Sequence, residues 1–227
     1  MNDSHPLDRP VWSALATGWA HLAEGDDKAR RLTPSYGPFG AAVDGSPESL
    51  AALLTLVPEA GELWLVDAGT LPAVPGTRVA RRAVLNQMLA ASVAPSSTEI
   101  DVIELTDDDA PEMVALAALT RPGPFAAHTN RLGGFIGIRE AGRLVAMAGE
   151  RMRVTGFAEV SGVCTHPDHR GRGHAGTLMG IVASRILARG ETPFLHTYPD
   201  NAGAIALYEK LGFRLRAPVN MAILTRD

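Results

Sequence analysis

Between Ile100 and Leu224 short apolar runs alternate with stretches of helical period. A continuous or alternating apolar run marks a strand, and apolar residues three and four apart mark a helix face. On that rule the chain predicts strands over residues 100–105, 135–139, 144–151, 157–165, 193–198, 213–215 and 219–224. Helices are predicted over 107–119, 172–189 and 201–211, with a short helix or loop leading to Arg131. The longest of these helices sets Leu178, Ile181, Val182 and Ile186 on one face, and Gly212 stops the last one. Glu140-Ala141-Gly142 supplies the turn of a hairpin.

The first hundred residues follow a looser pattern. Helices are predicted over 11–32, broken near Gly25, Asp26 and Asp27, and a strand over 39–43. Ser46 is a suitable N-cap and Pro47 a suitable first residue for a helix carrying Leu50, Leu53, Leu54 and Val57. A buried strand over 62–66, a Pro- and Gly-rich loop over 69–76 and a helix over 78–91 complete this part. Ala94-Pro95-Ser96-Ser97-Thr98 has the composition of a linker. It divides the chain into an N-terminal α/β region, 1–97, and a second domain, 98–227.

Composition narrows the class. Of 227 residues 46% are hydrophobic and 20% charged, which suits a folded domain with a core. The net charge is −4 and there is no long basic run, so nucleic acid is not an expected partner. A single cysteine, Cys164, can form no internal disulfide and fits a reducing compartment. Residues 1–10 lack the basic start and apolar stretch of a signal peptide, and no apolar run is long enough to span a bilayer. The expectation is a cytoplasmic protein without a membrane partner.

The chemistry concentrates at one turn. A strand leads into Arg170-Gly171-Arg172-Gly173-His174-Ala175, and a helix follows. Glycines let backbone approach an anion, and the free N–H groups and dipole of a helix start favour negative charge there. No Gly-Lys-Ser/Thr follows, which excludes the nucleotide-triphosphate loop. His166, His169 and His174 straddle a strand–turn–helix junction rather than one helix face, so no metal site is expected.

Arg170-x-x-Gly173-x-Ala175 resembles the Arg/Gln-x-x-Gly-x-Gly/Ala signature of the GCN5-related N-acetyltransferase (GNAT) superfamily. The lead-in Val163-Cys164-Thr165-His166-Pro167 and the later Asn201-Ala-Gly-Ala-Ile-Ala-Leu-Tyr208-Glu-Lys-Leu-Gly-Phe213 are similar to its other landmarks. The resemblance covers roughly residues 98–225 and looks closest to the glycine-N-acyltransferase-like branch. It implies a mixed α/β sheet with splayed fourth and fifth strands. It further implies transfer of an acetyl group from acetyl-CoA to a primary amine, borne by a small molecule or peptide, in a ternary complex. A CoA-binding regulatory module without turnover is the alternative.

Carried over by position, the resemblance assigns Val163, Cys164 and Thr165 to acetyl and pantetheine contacts. The pyrophosphate falls to Arg170, Gly171, Arg172, Gly173, His174, Ala175 and Gly176. A backbone N–H near Val163 or Cys164 polarises the thioester carbonyl. Tyr208, two helical turns beyond the cofactor contact Asn201, becomes the proton donor to the departing thiolate. For the base, Glu159 and His196 both stand open. Glu159 lies four residues before Val163, so regular alternation puts both on one face. The N-terminal part is expected to resemble a degenerate half-copy of the domain, covering the acceptor cleft or pairing two subunits.

Overall fold

The computed structural model describes residues 5–94 and 100–227. The linker expected at 94–98 therefore lies, apart from Ala94, outside the described residues. In chain order the elements are α1 (Pro10–Ala16), β1 (Ala23–Gly25), β2 (Ala29–Leu32), β3 (Gly40–Ala42), α2 (Pro47–Leu56), β4 (Leu63–Asp67) and β5 (Thr77–Leu89). They continue with β6 (Ile103–Leu105), α3 (Ala110–Thr120), β7 (Phe135–Glu140), β8 (Arg143–Val154), β9 (Phe157–Thr165), α4 (His174–Ala188), β10 (Thr192–Thr197), α5 (Ala202–Leu211) and β11 (Arg214–Arg226). A small sheet orders β1-β2-β3, and an eight-stranded mixed sheet orders β4-β11-β5-β10-β9-β8-β7-β6.

Successive residues of β8 face opposite ways, as a pleated strand requires. Ala146 and Ala148 pack with Leu178, Val182 and Ile186 of α4 on one face. Met147 packs with Met113, Leu116 and Ala117 of α3 on the other. Gly176 and Gly180 lie inside α4 and weaken it by about 1 kcal/mol each. Burying Leu178, Val182 and Ile186 to 2% exposure or less contributes roughly 1.5–3 kcal/mol apiece. Packing, not propensity, therefore makes this helix.

Three expectations change. The helix predicted over 78–91 is strand β5, paired with β10 on one edge and β11 on the other. Its Arg, Ala, Leu and Gln favour a helix only weakly, and two open strand edges outweigh that preference. The two C-terminal strands are one, β11, with a register shift between Leu215 and Ala217 that leaves Arg216 as the extra residue of a bulge. Across 11–32 only α1 is an α-helix, and the chain then turns at Asp26, whose Oδ1 accepts from the N–H groups of Lys28 and Ala29. Strands β4 and β5, from the first hundred residues, belong to the eight-stranded sheet.

Candidate active site

The sheet opens where β9 meets β10. The two strands are parallel and pair only at Thr192–Phe157, Pro193–Ala158 and Phe194–Glu159. Beyond that point the facing edges of β9 and β10 part, which is the expected splay. At the same place β9 carries a bulge. Ser161 lies opposite Gly149 and Cys164 opposite Met147, three steps on β9 against two on β8. Gly162 sits in the bulge at φ +63, and a Cβ there would come 2.7 Å from the Phe135 ring. Only glycine fits both the backbone and the space.

The bulge reverses the alternation. Ala158, Val160 and Val163 belong to the α4 side, so Glu159 points to the opposite face and does not share one with Val163. Regular periodicity fails here because one extra residue exchanges the faces.

At the end of β9 the chain makes a short turn over Pro167–His169 and enters α4 at His174. Gly173 is the N-cap, at φ 82, and no side chain caps the helix. The first-turn N–H groups are thus free to donate. Glu140, at the end of β7, braces the turn: it accepts from Arg172 at 2.8 Å and lies 3.2 Å from His174 Nε2 and 3.1 Å from His169 Nδ1. His166 instead meets Arg143 at 2.6 Å. The histidines are thus divided between two partners.

A cavity of about 430 Å³ lies over this turn. Val163, Cys164 and Thr165, all of residues 170–176, and Asn201 and Tyr208 line it together. Thr120 and Pro122 close one side, and Ala204 and Leu207 of α5 the other. Asn201 Oδ1 also accepts from Ala204 N at 3.3 Å, so it caps α5 while lining the cavity. Among the described residues the Tyr208 hydroxyl has no hydrogen-bond partner. Burial raises its pKa above the ordinary tyrosine value and keeps the phenol protonated. Burial likewise pushes the Cys164 thiol up to about 11, with a weaker opposing effect from Thr120. Packed beside Met113, Met147 and Phe135, Cys164 behaves as a small core residue, not a nucleophile.

Glu159 and His196 do not line the cavity; they form a separate buried group. Glu159 Oε1 accepts from His196 Nδ1 at 2.9 Å and Arg151 Nη2 at 3.0 Å. Its Oε2 accepts from Arg151 Nε at 2.9 Å and Met152 N at 3.4 Å. All four acceptor positions of the carboxylate are engaged. Burial alone would raise its pKa, but the Arg151 guanidinium and the bond from His196 outweigh that and hold it at about 2. A carboxylate so placed is a poor general base. His196 Nε2 in turn lies 3.1 Å from the Gln87 side-chain nitrogen. Sequence reasoning missed Arg151, Gln87 and Glu140. None belongs to a local motif, and only the sheet order brings them to these positions.

Residues 135–221 match the family model of FR47-like proteins. The whole chain is similar to a structure of a GNAT-family protein from Novosphingobium aromaticivorans, at 48% identity, with 99% of this chain and 100% of that one covered and a TM-score of 0.91. The chain belongs to the GNAT family of acetyltransferases. It also shares its fold with a GCN5-related N-acetyltransferase from Kribbella flavida, at 19% identity, 94% and 93% coverage and a TM-score of 0.62. A GCN5-related N-acetyltransferase-like protein from Streptococcus suis gives 17% identity, 94% and 91% coverage and 0.60. Comparison with curated proteins found no match. No helix among the described residues is long and apolar enough to cross a membrane.

Proposed function

We propose that this protein moves the acetyl group of acetyl-CoA to a primary amine by direct attack in a ternary complex. One observation carries the reading: a single cavity joins an uncapped helix start, a strand edge freed by the splay and an unpartnered phenol. The residues fit the cosubstrate. The amides of residues 171–176 face the pyrophosphate. A Cβ at Gly171 or Gly173 would project into open space, leaving room for phosphate against backbone. The freed edge of β9 at Val163–Thr165 pairs with the pantetheine amides as a further strand would. An N–H of that edge polarises the carbonyl under attack.

Tyr208 gives its proton to the sulfur as the thiol leaves. The base role passes to solvent, since both lone-pair carriers proposed for it are engaged away from the cavity. The amine must then arrive neutral, and the rate should rise with pH along the acceptor's own ionisation. Acceptor class, placement in the glycine-N-acyltransferase-like branch and action in the cytoplasm belong to the same proposal; the reduced, buried Cys164 suits the last.

Calorimetry with acetyl-CoA, followed by thiol release with a panel of amines that includes glycine and short peptides, tests the reading. Binding with release supports it. Binding without release across the panel favours a regulatory CoA-binding module, and no binding removes both.

A further inference from the structure

We infer that Gln87 is a positioning residue, which together with Glu159 sets the tautomer of His196 and through it braces β10 at the mouth of the splay. Past Phe194 no backbone ladder joins β10 to β9. What holds β10 there is β5, with Leu195, His196 and Thr197 opposite Met88, Gln87 and Asn86. Gln87 is fully buried and directly faces His196 across that ladder. One hydrogen of its Nε2 goes to the carbonyl of Leu7 at 3.0 Å, leaving the other for His196 Nε2. Its Oε1 accepts from Arg216 Nη1 at 2.9 Å, and Arg216 is anchored by Asp8.

These partners decide the amide orientation. Turned over, the Gln87 oxygen would face the Leu7 carbonyl and its nitrogen the Arg216 donor, two repulsive contacts in place of two bonds. With the amide fixed, His196 Nε2 must accept, and the Glu159 carboxylate, which can only accept, takes the Nδ1 proton, so the two neighbours agree on one tautomer. That bond joins β10 to β9 by side chains where the backbone bonds stop. The whole chain of contacts runs Arg151, Glu159, His196, Gln87, Arg216, Asp8, across β8, β9, β10, β5 and β11 in sheet order. Leu7, Asp8 and Gln87 come from the first hundred residues, which thereby enter the site's construction. The kinetic consequence rests on the acetyl-CoA reading, but the tautomer does not.

Long-range 1H–15N correlation of the imidazole nitrogens in the full-length protein tests the inference. The wild type should show His196 as a single Nδ1–H tautomer, and an Nε2–H or mixed signal overturns it. Gln87→Glu removes both amide donors and should bring a proton to Nε2. Gln87→Met, of similar length, leaves Glu159 as the one constraint and should add a minor Nε2–H signal to the Nδ1–H form. It should also raise KM for acetyl-CoA about fivefold, the worth of one neutral hydrogen bond, with a smaller change in kcat. A purely structural Gln87 would lower stability and leave tautomer and KM alone, which overturns the inference. If the Gln87 variants fail to fold, Arg216→Met, which frees the amide from outside, should give the same mixed signal. Failure of acetyl-CoA to bind the wild type would count against the functional reading and leave the tautomer result intact.

Discussion

The glycine turn at residues 170–176 and the polar chain through Glu159 both adjoin β9, yet they are built by opposite rules. At the turn the donors are the backbone amides of residues 171–176, which have no partner among the described residues, held open by Gly173 and braced from behind by Glu140. In the chain every donor and acceptor of Glu159 and Gln87 has a partner, and both side chains are buried. Unused hydrogen-bonding capacity marks where a ligand can bind; full engagement marks scaffold. Ionisable residue type alone does not separate the two, since Glu159 looks like a base until its four hydrogen bonds are seen.

The largest expected effect breaks the scaffold side. Glu159→Gln leaves the Arg151 guanidinium buried without its counter-charge, and urea unfolding should show a loss of about 3–5 kcal/mol. The same group predicts an acid response. Its folded pKa, about 2, lies below the ordinary 4.5, so its stabilisation is complete above pH 4.5 and is lost as pH falls toward 2. That contribution is on the order of 3 kcal/mol, and the Glu159→Gln variant should have a correspondingly flatter stability profile across this window.

Next comes the binding side. Tyr208→Phe should lower kcat about 100-fold or more, within the usual range for a general acid. Calorimetry should meanwhile find acetyl-CoA affinity nearly unchanged, and an equal loss of both would assign Tyr208 to binding instead. Gly173→Ala places a Cβ in left-handed backbone, at a cost of about 1–2 kcal/mol, and should weaken acetyl-CoA binding about tenfold. Smallest of all, Cys164→Ala should leave kcat within about twofold, because a thiol held near 11 supplies no nucleophile at neutral pH. A large loss there would move Cys164 from the scaffold side to the chemical side.

The turn is legible in the amino-acid order because it is local. Arg170, Gly173 and Ala175 sit within one strand–turn–helix, and backbone geometry over a few residues places their amides. Asn201 and Tyr208 are legible for the same reason, being about two turns apart on one helix. The second-half elements follow from periodicity. The same rule fails at β5, where Arg81, Arg82, Ala83, Leu85 and Gln87 favour a helix until β10 and β11 claim both edges. It fails again at Gly162, where one inserted residue turns Glu159 away from Val163.

What the amino-acid order determined on its own is the glycine turn and the helices α4 and α5, since their hydrogen bonds close within a few residues. What only the tertiary structure decided is which ionisable groups remain free. Arg151, Glu159 and His196 acquire their state from strand neighbours, and Gln87 stands 109 residues from the imidazole it meets. Hydrogen bonding across a sheet depends on strand order and register, and neither is written in the local pattern of the chain.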